Sequence, residues 1–365
     1  MTDLDRLKKD LRQQMQSRPQ TQLQDLLKLI YQQVFGGGHL ISNAENHLLR
    51  MEEEIVALPQ EPVHLNTPLI EPIGGGFCRI HLSQLAASGL RTQTLNRMII
   101  HSAGAGHGNR TDFKAKVEQL LTLLTDGSLP FDPAALTSWL AQYDFDACPP
   151  IRHSQEYRAA YQPAYRILDS DFASLFPAFA AIDRQLARLK SLLVGIDGRC
   201  GAGKSTLADL LAAIFPTALI RMDHFFLPPE LKTAERRSEI GGNIDYERFA
   251  QEVSPRIKDR KTFQYRPYDC QADALGPPIT VCPAPLTVIE GSYSLHPKLN
   301  VTFDLTIYLT VNPEEQLRRL TLRNDALFLE KFKSTWIPME EAYAAKWRLV
   351  ETCDLLLDTT SPVLI

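Results

Sequence analysis

Cysteine is sparse in this chain and carries no pattern. Six residues, at 78, 148, 200, 270, 282 and 353 of 365, form no C-x-x-C and no paired spacing, which excludes a disulfide framework and a cysteine-based zinc site. The histidines show no H-x-x-x-H or H-E-x-x-H, so no metal is expected except one that arrives with a ligand. No run of about eighteen apolar residues exists, and no membrane span is predicted. The segment Met1 to Asp10 lacks the apolar core of a secretory signal, which reads as a cytoplasmic chain. Strong charge of one sign is missing as well: a formal net charge of -4 removes the electrostatic reason to expect nucleic acid. What is present is 44% hydrophobic and 22% charged residues, enough for ample core, in a length that suits two or three domains.

The two halves read differently. In the first, Leu23, Leu26, Leu27, Ile30, Tyr31 and Val34 line one face of a helix that Gly36-Gly37-Gly38 ends. A second helix is expected over 43–58, a strand over 77–82, and further helices near 84–100, 111–126 and 133–143. Cys148-Pro149-Pro150 marks a break, because two prolines in series cannot continue a helix. These patterns predict a mainly α-helical domain over 1–150, a connector with a helix over 151–190, and a second domain over 191–365. In that second domain strands are expected at 192–197, 218–223, 286–290, 305–311 and 354–358, and helices at 204–214, 246–257, 313–324 and 338–352. Such alternation predicts an α/β fold: a parallel sheet flanked by helices, with ligands at the carboxyl ends of the strands.

One stretch names the ligand. Gly198-Arg199-Cys200-Gly201-Ala202-Gly203-Lys204-Ser205-Thr206 fits G-x-x-x-x-G-K-[ST], between an apolar run of strand type and a segment of helical spacing. Glycines let the backbone wrap an anion and turn N–H groups toward it, and the following helix adds its positive end. Lys204 would reach the β- and γ-phosphates of ATP and Ser205 would ligate Mg²⁺. The whole domain is therefore expected to be a P-loop NTPase fold. Cys200 lies inside the loop, where it either fills space or offers an oxidisable thiol.

Acids at strand ends narrow the chemistry. Asp223 closes the strand Ala218 to Asp223 and can take the proton from an attacking hydroxyl; its alternative is to cap a turn. Glu290, at the end of Leu286 to Glu290, is a metal or water-positioning candidate. Arg319 and Arg323 lie four apart on one helix face and can clamp phosphate charge, or form a solvated basic face. The guanine-reading Asn-Lys-x-Asp motif is absent, which argues against a regulatory GTPase.

Asp223-His224-Phe225-Phe226, Asn243-Ile244-Asp245-Tyr246, Pro267-Tyr268-Asp269, Ile289-Glu290-Gly291 and Leu317-Arg318-Arg319-Leu320-Thr321-Leu322-Arg323-Asn324 follow one another in an order and at spacings that resemble the uridine kinase and phosphoribulokinase-like family. The resemblance covers about 190–360. It implies that Asp223 is the catalytic base, that Asp245 contacts sugar hydroxyls of the acceptor, and that Tyr268, with Asp269 beside it, packs on the acceptor. It also implies that Glu290 supports Mg²⁺ and that Arg318, Arg319 and Arg323 serve a lid and the phosphates. Two departures stand out. Where a uridine kinase carries a pyrimidine-reading histidine, this chain has Asp273, and the segment Asn324 to Leu329 is apolar where a basic lid is usual.

The expected function is transfer of the ATP γ-phosphate to a hydroxyl of a small molecule, with the acceptor open between uridine and another hydroxylated compound. The alternative is an ATP-gated, non-catalytic or weakly hydrolytic module, and homo-oligomerisation stays open. In the first half, the triple glycines at 36–38 and 74–76 suggest sharp turns or a close backbone approach, and His39, Glu71 and Arg79 can line a second polar site if the two loops meet. Gly104 to Asn109 lacks the third glycine of a dinucleotide fingerprint and reads as a loop. Tyr157, Tyr161, Tyr165 and Arg166 recur at fours along a possible helix.

Overall fold

The computed structural model describes residues 2–38, 41, 43–59, 67–104 and 108–360. They divide into two compact units, with the boundary between Ala173 and Ser174. Among the described residues no helix is long and apolar enough to cross a membrane.

The first unit opens with α1 (Asp3–Ser17), α2 (Leu23–Phe35) and α3 (Ala44–Ala57). Thr2 and Asp5 cap α1 reciprocally, and Gly36, at φ 61°, closes α2 in a conformation other residues avoid. A hairpin of β1 (Ile70–Gly74) and β2 (Phe77–His81) follows, then α4 (Leu85–Ser88), α5 (Thr92–Gly104), α6 (Arg110–Thr125), α7 (Pro133–Leu140), α8 (Gln155–Tyr161) and β3 (Tyr165–Asp169). β2 is the central strand of an antiparallel sheet ordered β1-β2-β3, and every residue of it is buried. Leu11, Leu26, Ile30, Phe113 and Leu120 anchor the core on which the helices pack.

One expectation is corrected here and one is met. Tyr165 and Arg166 do not continue the helix that carries Tyr157 and Tyr161. Gln162 turns left-handed at φ 41°, Pro163 cannot extend a helix, and the chain re-emerges as β3. The second triple glycine is the turn between β1 and β2, pressed on the end of α2. A Cβ on Gly75, at φ 65°, would sit 2.2 Å from the Gln33 carbonyl oxygen.

The second unit is entered through α9 (Asp171–Leu186) and alternates thereafter: β4 (Leu192–Gly198), α10 (Lys204–Ile214), β5 (Thr217–Arg221), α11 (Ala234–Ser238), α12 (Tyr246–Glu252) and α13 (Ser254–Asp259). Short strands β6 (Phe263–Tyr265), β7 (Tyr268–Asp269), β8 (Ala274–Leu275) and β9 (Ile279–Val281) make two small hairpins, β6 with β9 and β7 with β8. The chain finishes with β10 (Leu286–Glu290), β11 (Leu305–Thr310), α14 (Pro313–Arg323), α15 (Ala326–Lys331), α16 (Ile337–Trp347), α17 (Leu349–Thr352) and β12 (Leu355–Asp358).

Its main sheet is parallel, ordered β12-β11-β4-β10-β5. Val194, Ile196, Val288 and Ile307 are fully buried, as strands covered on both faces require. The register sets Glu290 opposite Ile196 on one side and opposite Arg221 on the other. The carboxyl ends of β4, β10 and β5 therefore lie side by side, and the strand order reverses at β4, where such folds bind ligands. This is the α/β, helix-flanked parallel sheet that the strand and helix alternation predicts.

Candidate active site

The phosphate loop runs from the end of β4 into the first turn of α10. Gly198 (φ 143°), Gly201 (φ 76°) and Gly203 (φ 94°) all take backbone conformations that favour glycine. A Cβ on Gly198 would meet the Leu309 carbonyl oxygen at 2.2 Å, so this glycine lets β4 and β11 approach. Nothing lies within 4 Å of a Cβ built on Gly203, so that side of the loop faces open space. The Lys204 ammonium donates to the carbonyls of Gly198 (2.6 Å) and Arg199 (3.1 Å), arching over the loop it belongs to. Ala202 is buried, while Ser205 and Thr206 open α10 with exposed side chains.

Residues that no motif announces hold the loop from behind. Asp197 is 1% exposed; its carboxylate accepts from the backbone N–H of Gly198 (2.7 Å), Tyr293 (3.3 Å) and Leu295 (3.0 Å), and from the Tyr343 hydroxyl (2.8 Å). Burial pushes its carboxyl above the ordinary range. Glu340 on α16 accepts from the Cys200 N–H (2.8 Å) and the Ser292 hydroxyl (2.7 Å), and Arg199 pairs with Glu341 (2.7 Å). Burial beside Glu340 pushes the Cys200 thiol up to about 12, so it is a space-filling thiol and not a reactive thiolate.

Across the sheet edge, the Ser205 hydroxyl stands 3.4 Å from Glu290 Oε2, and Arg221 donates to Glu290 Oε1 at 2.9 Å. Burial raises the Glu290 carboxyl above its usual value and Arg221 pulls it back. A hydroxyl and a carboxylate are the hard oxygen donors that suit Mg²⁺ on a nucleotide, and the open face at Gly203 leaves room for phosphate. Among the described residues no cluster of three or more His, Cys, Asp or Glu forms a stand-alone metal site. The residues fit a cation that comes with its nucleotide.

Asp223 sits in the short 3₁₀ turn Met222–Phe225 just past β5, exposed, and within electrostatic reach of Glu290. The residues expected on the acceptor side gather around this turn. Asn243 to Asp245 pairs with the segment after Asp223, through Leu227 N–H to the Asn243 carbonyl and Asp245 N–H to the Phe225 carbonyl, both 2.8 Å. Arg248 braces the same turn, donating to the His224 carbonyl at 2.5 Å and lying over the Phe225 ring. β7 packs against the turn as well and carries Tyr268 and Asp269.

Two of these acids are occupied by local work. Asp245 caps α12, accepting from the Arg248 N–H at 3.0 Å. Asp269 is exposed and accepts from the N–H of Gln271 (2.7 Å) and Ala272 (3.1 Å), shaping the β7–β8 turn. The Tyr268 hydroxyl bonds Asp273, which pushes the phenol up to about 12. Of the arginines on α14, Arg319 alone reaches the phosphate loop, donating to the Gly201 carbonyl (3.1 Å) and to Thr359. Arg318 turns outward to Glu315 (2.6 Å), and Arg323 is exposed one turn further on. Arg221, Asp197 and Glu340 are the site residues sequence reasoning missed. Asp197 and Arg221 stand beside Gly198 and Met222-Asp223, so strand-end position was a usable signal; for Glu340 there was none.

No family model and no curated protein sequence matches the chain. Solved structures do. One is a possible uridine kinase from Bacillus stearothermophilus, 18% identical, covering 48% of this chain and 97% of its own, at a TM-score of 0.38. Another, from Silicibacter sp. TM1040, is assigned as a fructose transport system kinase and is 26% identical, covering 48% of this chain and 97% of its own, at a TM-score of 0.36. The similarity to these kinases spans about half of the chain.

Proposed function

We propose that the second unit is an ATP- and Mg²⁺-dependent phosphotransferase that adds a γ-phosphate to a hydroxyl of a small molecule. The observation that carries this reading is the adjacency of three strand ends: the phosphate loop after β4, Glu290 at the end of β10 and Asp223 just beyond β5. A nucleotide on the loop amides and Lys204 would present its γ-phosphate toward the space between Glu290 and Asp223. Ser205 and Glu290 would hold Mg²⁺, which supplies charge neutralisation on the phosphates. Asp223 would accept the proton of the acceptor hydroxyl; its exposed carboxylate is free to do so. Arg319, tied to the loop, would stabilise charge developing on the transferred group.

The segments around Asn243 to Asp245 and Tyr268 would form the acceptor side, with Asp273 and Tyr268 as one hydrogen-bonded unit in place of a pyrimidine-reading histidine. The acceptor is accordingly a hydroxylated small molecule, uridine being one member of the panel to test. Incubation with γ-labelled ATP and a panel of nucleosides, sugars and vitamins should label at least one compound. Asp223→Asn should lower that transfer by about 10²–10⁴-fold while ATP affinity stays within about threefold. If the panel accepts nothing and ATP still binds, the nucleotide-gated alternative replaces this reading.

A further inference from the structure

Chemistry-bearing residues left unused by the phosphate loop converge in the other unit. Segments distant in sequence, from α1, α2, β1, β2 and the stretch 151–165, meet in one buried polar cluster. Arg79, on the central strand, is 0% exposed. Its Nε and Nη2 donate to Gln32 Oε1 (3.3 and 2.9 Å), its Nη1 donates to Gln14 Oε1 (2.9 Å), and its guanidinium lies 4.8 Å from the Tyr165 ring centroid. Glu71 stands 3.6 Å from Arg79 and is engaged by the fork of Arg18 (2.6 and 2.8 Å) and by His81 Nε2 (3.0 Å). The Tyr165 hydroxyl meets His153 Nε2 at 2.6 Å, and His153 Nδ1 meets Asp25 at 2.8 Å. Lys28, on the same face of α2 as Asp25 and Gln32, donates to the Ile151 carbonyl (2.9 Å) and has no carboxylate at ion-pair distance among the described residues.

The charges do not balance. Three cations, Arg18, Lys28 and Arg79, face two carboxylates, Asp25 and Glu71, and the histidines can only add positive charge to that count. Lys28 is partly buried, and an uncompensated charge held even partly away from water carries a desolvation cost that is retained only when something repays it. Burial and the nearby Arg79 pull the Lys28 ammonium down to about 8, which registers the same imbalance. The cluster is also not sealed. The side chains of Arg18 and Glu71 are 15% and 14% exposed, so their edge meets solvent. Glu71 in the fork of Arg18 shows that this edge accepts a carboxylate in two-pronged geometry.

From this placement we propose that the first unit binds a small oxyanion, the carboxylate or phosphate group of a metabolite, at the solvent-facing edge of Arg18, with Arg79 behind it and Lys28 supplying further positive charge. Glu71 and the Asp25–His153–Tyr165 chain form the walls that orient it. The site belongs to the first unit and does not depend on the phosphotransfer reading.

The test uses the full-length protein carrying Lys204→Ala, which suppresses phosphate binding at the loop, titrated calorimetrically with inorganic phosphate and separately with acetate and succinate. One saturable site is expected for phosphate or for the carboxylates, and which of them binds identifies the class. Lys28→Met should weaken that binding at least tenfold and, by removing the unpaired charge, should raise the melting temperature in anion-free buffer. Arg18→Gln, at the solvent edge, should weaken it as well and guards against a folding defect at Lys28. Absence of saturable binding by every anion, or affinity unchanged in both variants, overturns the proposal. So does a Lys28→Met protein that melts lower with its anion affinity intact, the mark of a purely structural lysine.

Discussion

Gly198 and Gly203 are both motif glycines with positive φ, yet the structure gives them different work. Gly198 makes room for a neighbouring strand, since any Cβ there collides with the Leu309 carbonyl oxygen at 2.2 Å. Gly203 faces empty space, so a side chain costs backbone strain there and then stands where phosphate would lie. Gly198→Ala should therefore destabilise by roughly 2–4 kcal/mol, through strain and overpacking together. Gly203→Ala should cost only about 1–2 kcal/mol but should weaken ATP binding more. Thermal denaturation and nucleotide titration of the two variants check this, and a reversed order in either assay would refute the division of labour. The spacing of these glycines was legible as a phosphate loop; which one is for packing was not, because Leu309 lies more than a hundred residues away in the chain.

α16 is the element that most changes the picture of the loop. It brings Glu340 onto the Cys200 N–H and Glu341 onto Arg199, which places two carboxylates behind the loop proposed to hold polyphosphate. Such a carboxylate rigidifies the loop and repels the ligand. Glu340→Gln should thus lower unfolding stability by about 1–2 kcal/mol, since a charge-assisted bond becomes a neutral one. ATP affinity should rise by about three- to tenfold, since a negative charge near the phosphates is gone. If affinity falls along with stability, the contact shapes the loop for binding and its repulsive part is negligible. The expected strands of this unit, and its helices at 204–214 and 313–324, were readable from periodicity within two residues, whereas the helix expected over 338–352 is broken at Arg348, left-handed at φ 52°, between α16 and α17. The expected helix over 246–257, likewise, is interrupted where α12 ends at Glu252 and α13 begins at Ser254. Pro255 explains the interruption, because it removes a backbone donor in the first turn of the new helix.

At the scale of the molecule, each unit carries its own buried neutral histidine. Burial pulls His153, in the first unit, and His296, in the second, from 6.5 down to about 4. For a base whose folded pKa is depressed, protonation favours the unfolded chain. The contribution is complete above pH 6.5 and is lost as pH falls from about 6.5 to 4, by at most roughly 3 kcal/mol per histidine. Both units should therefore lose stability through that window. His296→Phe, which keeps an aromatic ring against Tyr246 and Tyr343, should flatten the slope of the second unit and leave that of the first unchanged. Calorimetric scans at closely spaced pH values measure both slopes, and an unaltered slope in the variant would exclude His296 as its source.

Local order along the chain was enough to determine the alternating strands and helices of the second unit, its phosphate loop, and the acids at 223 and 290, one just past a strand and one at the end of another. These depend on spacing between near neighbours, and spacing is written in the sequence. Only the tertiary structure decided that Asp245 and Asp269 spend their carboxylates on a helix cap and a turn, that Arg319 reaches the loop while Arg318 turns away, and that Glu340 grips the Cys200 amide. It also decided that Arg18, Asp25, Lys28, Glu71, Arg79 and His153 share one buried cluster, with His39 lying outside the described residues. Those pairings join groups separated by as many as 140 positions, as between Cys200 and Glu340. No periodicity encodes such a pair; it follows from which faces the apolar residues force together, and the polar groups on those faces must then satisfy one another.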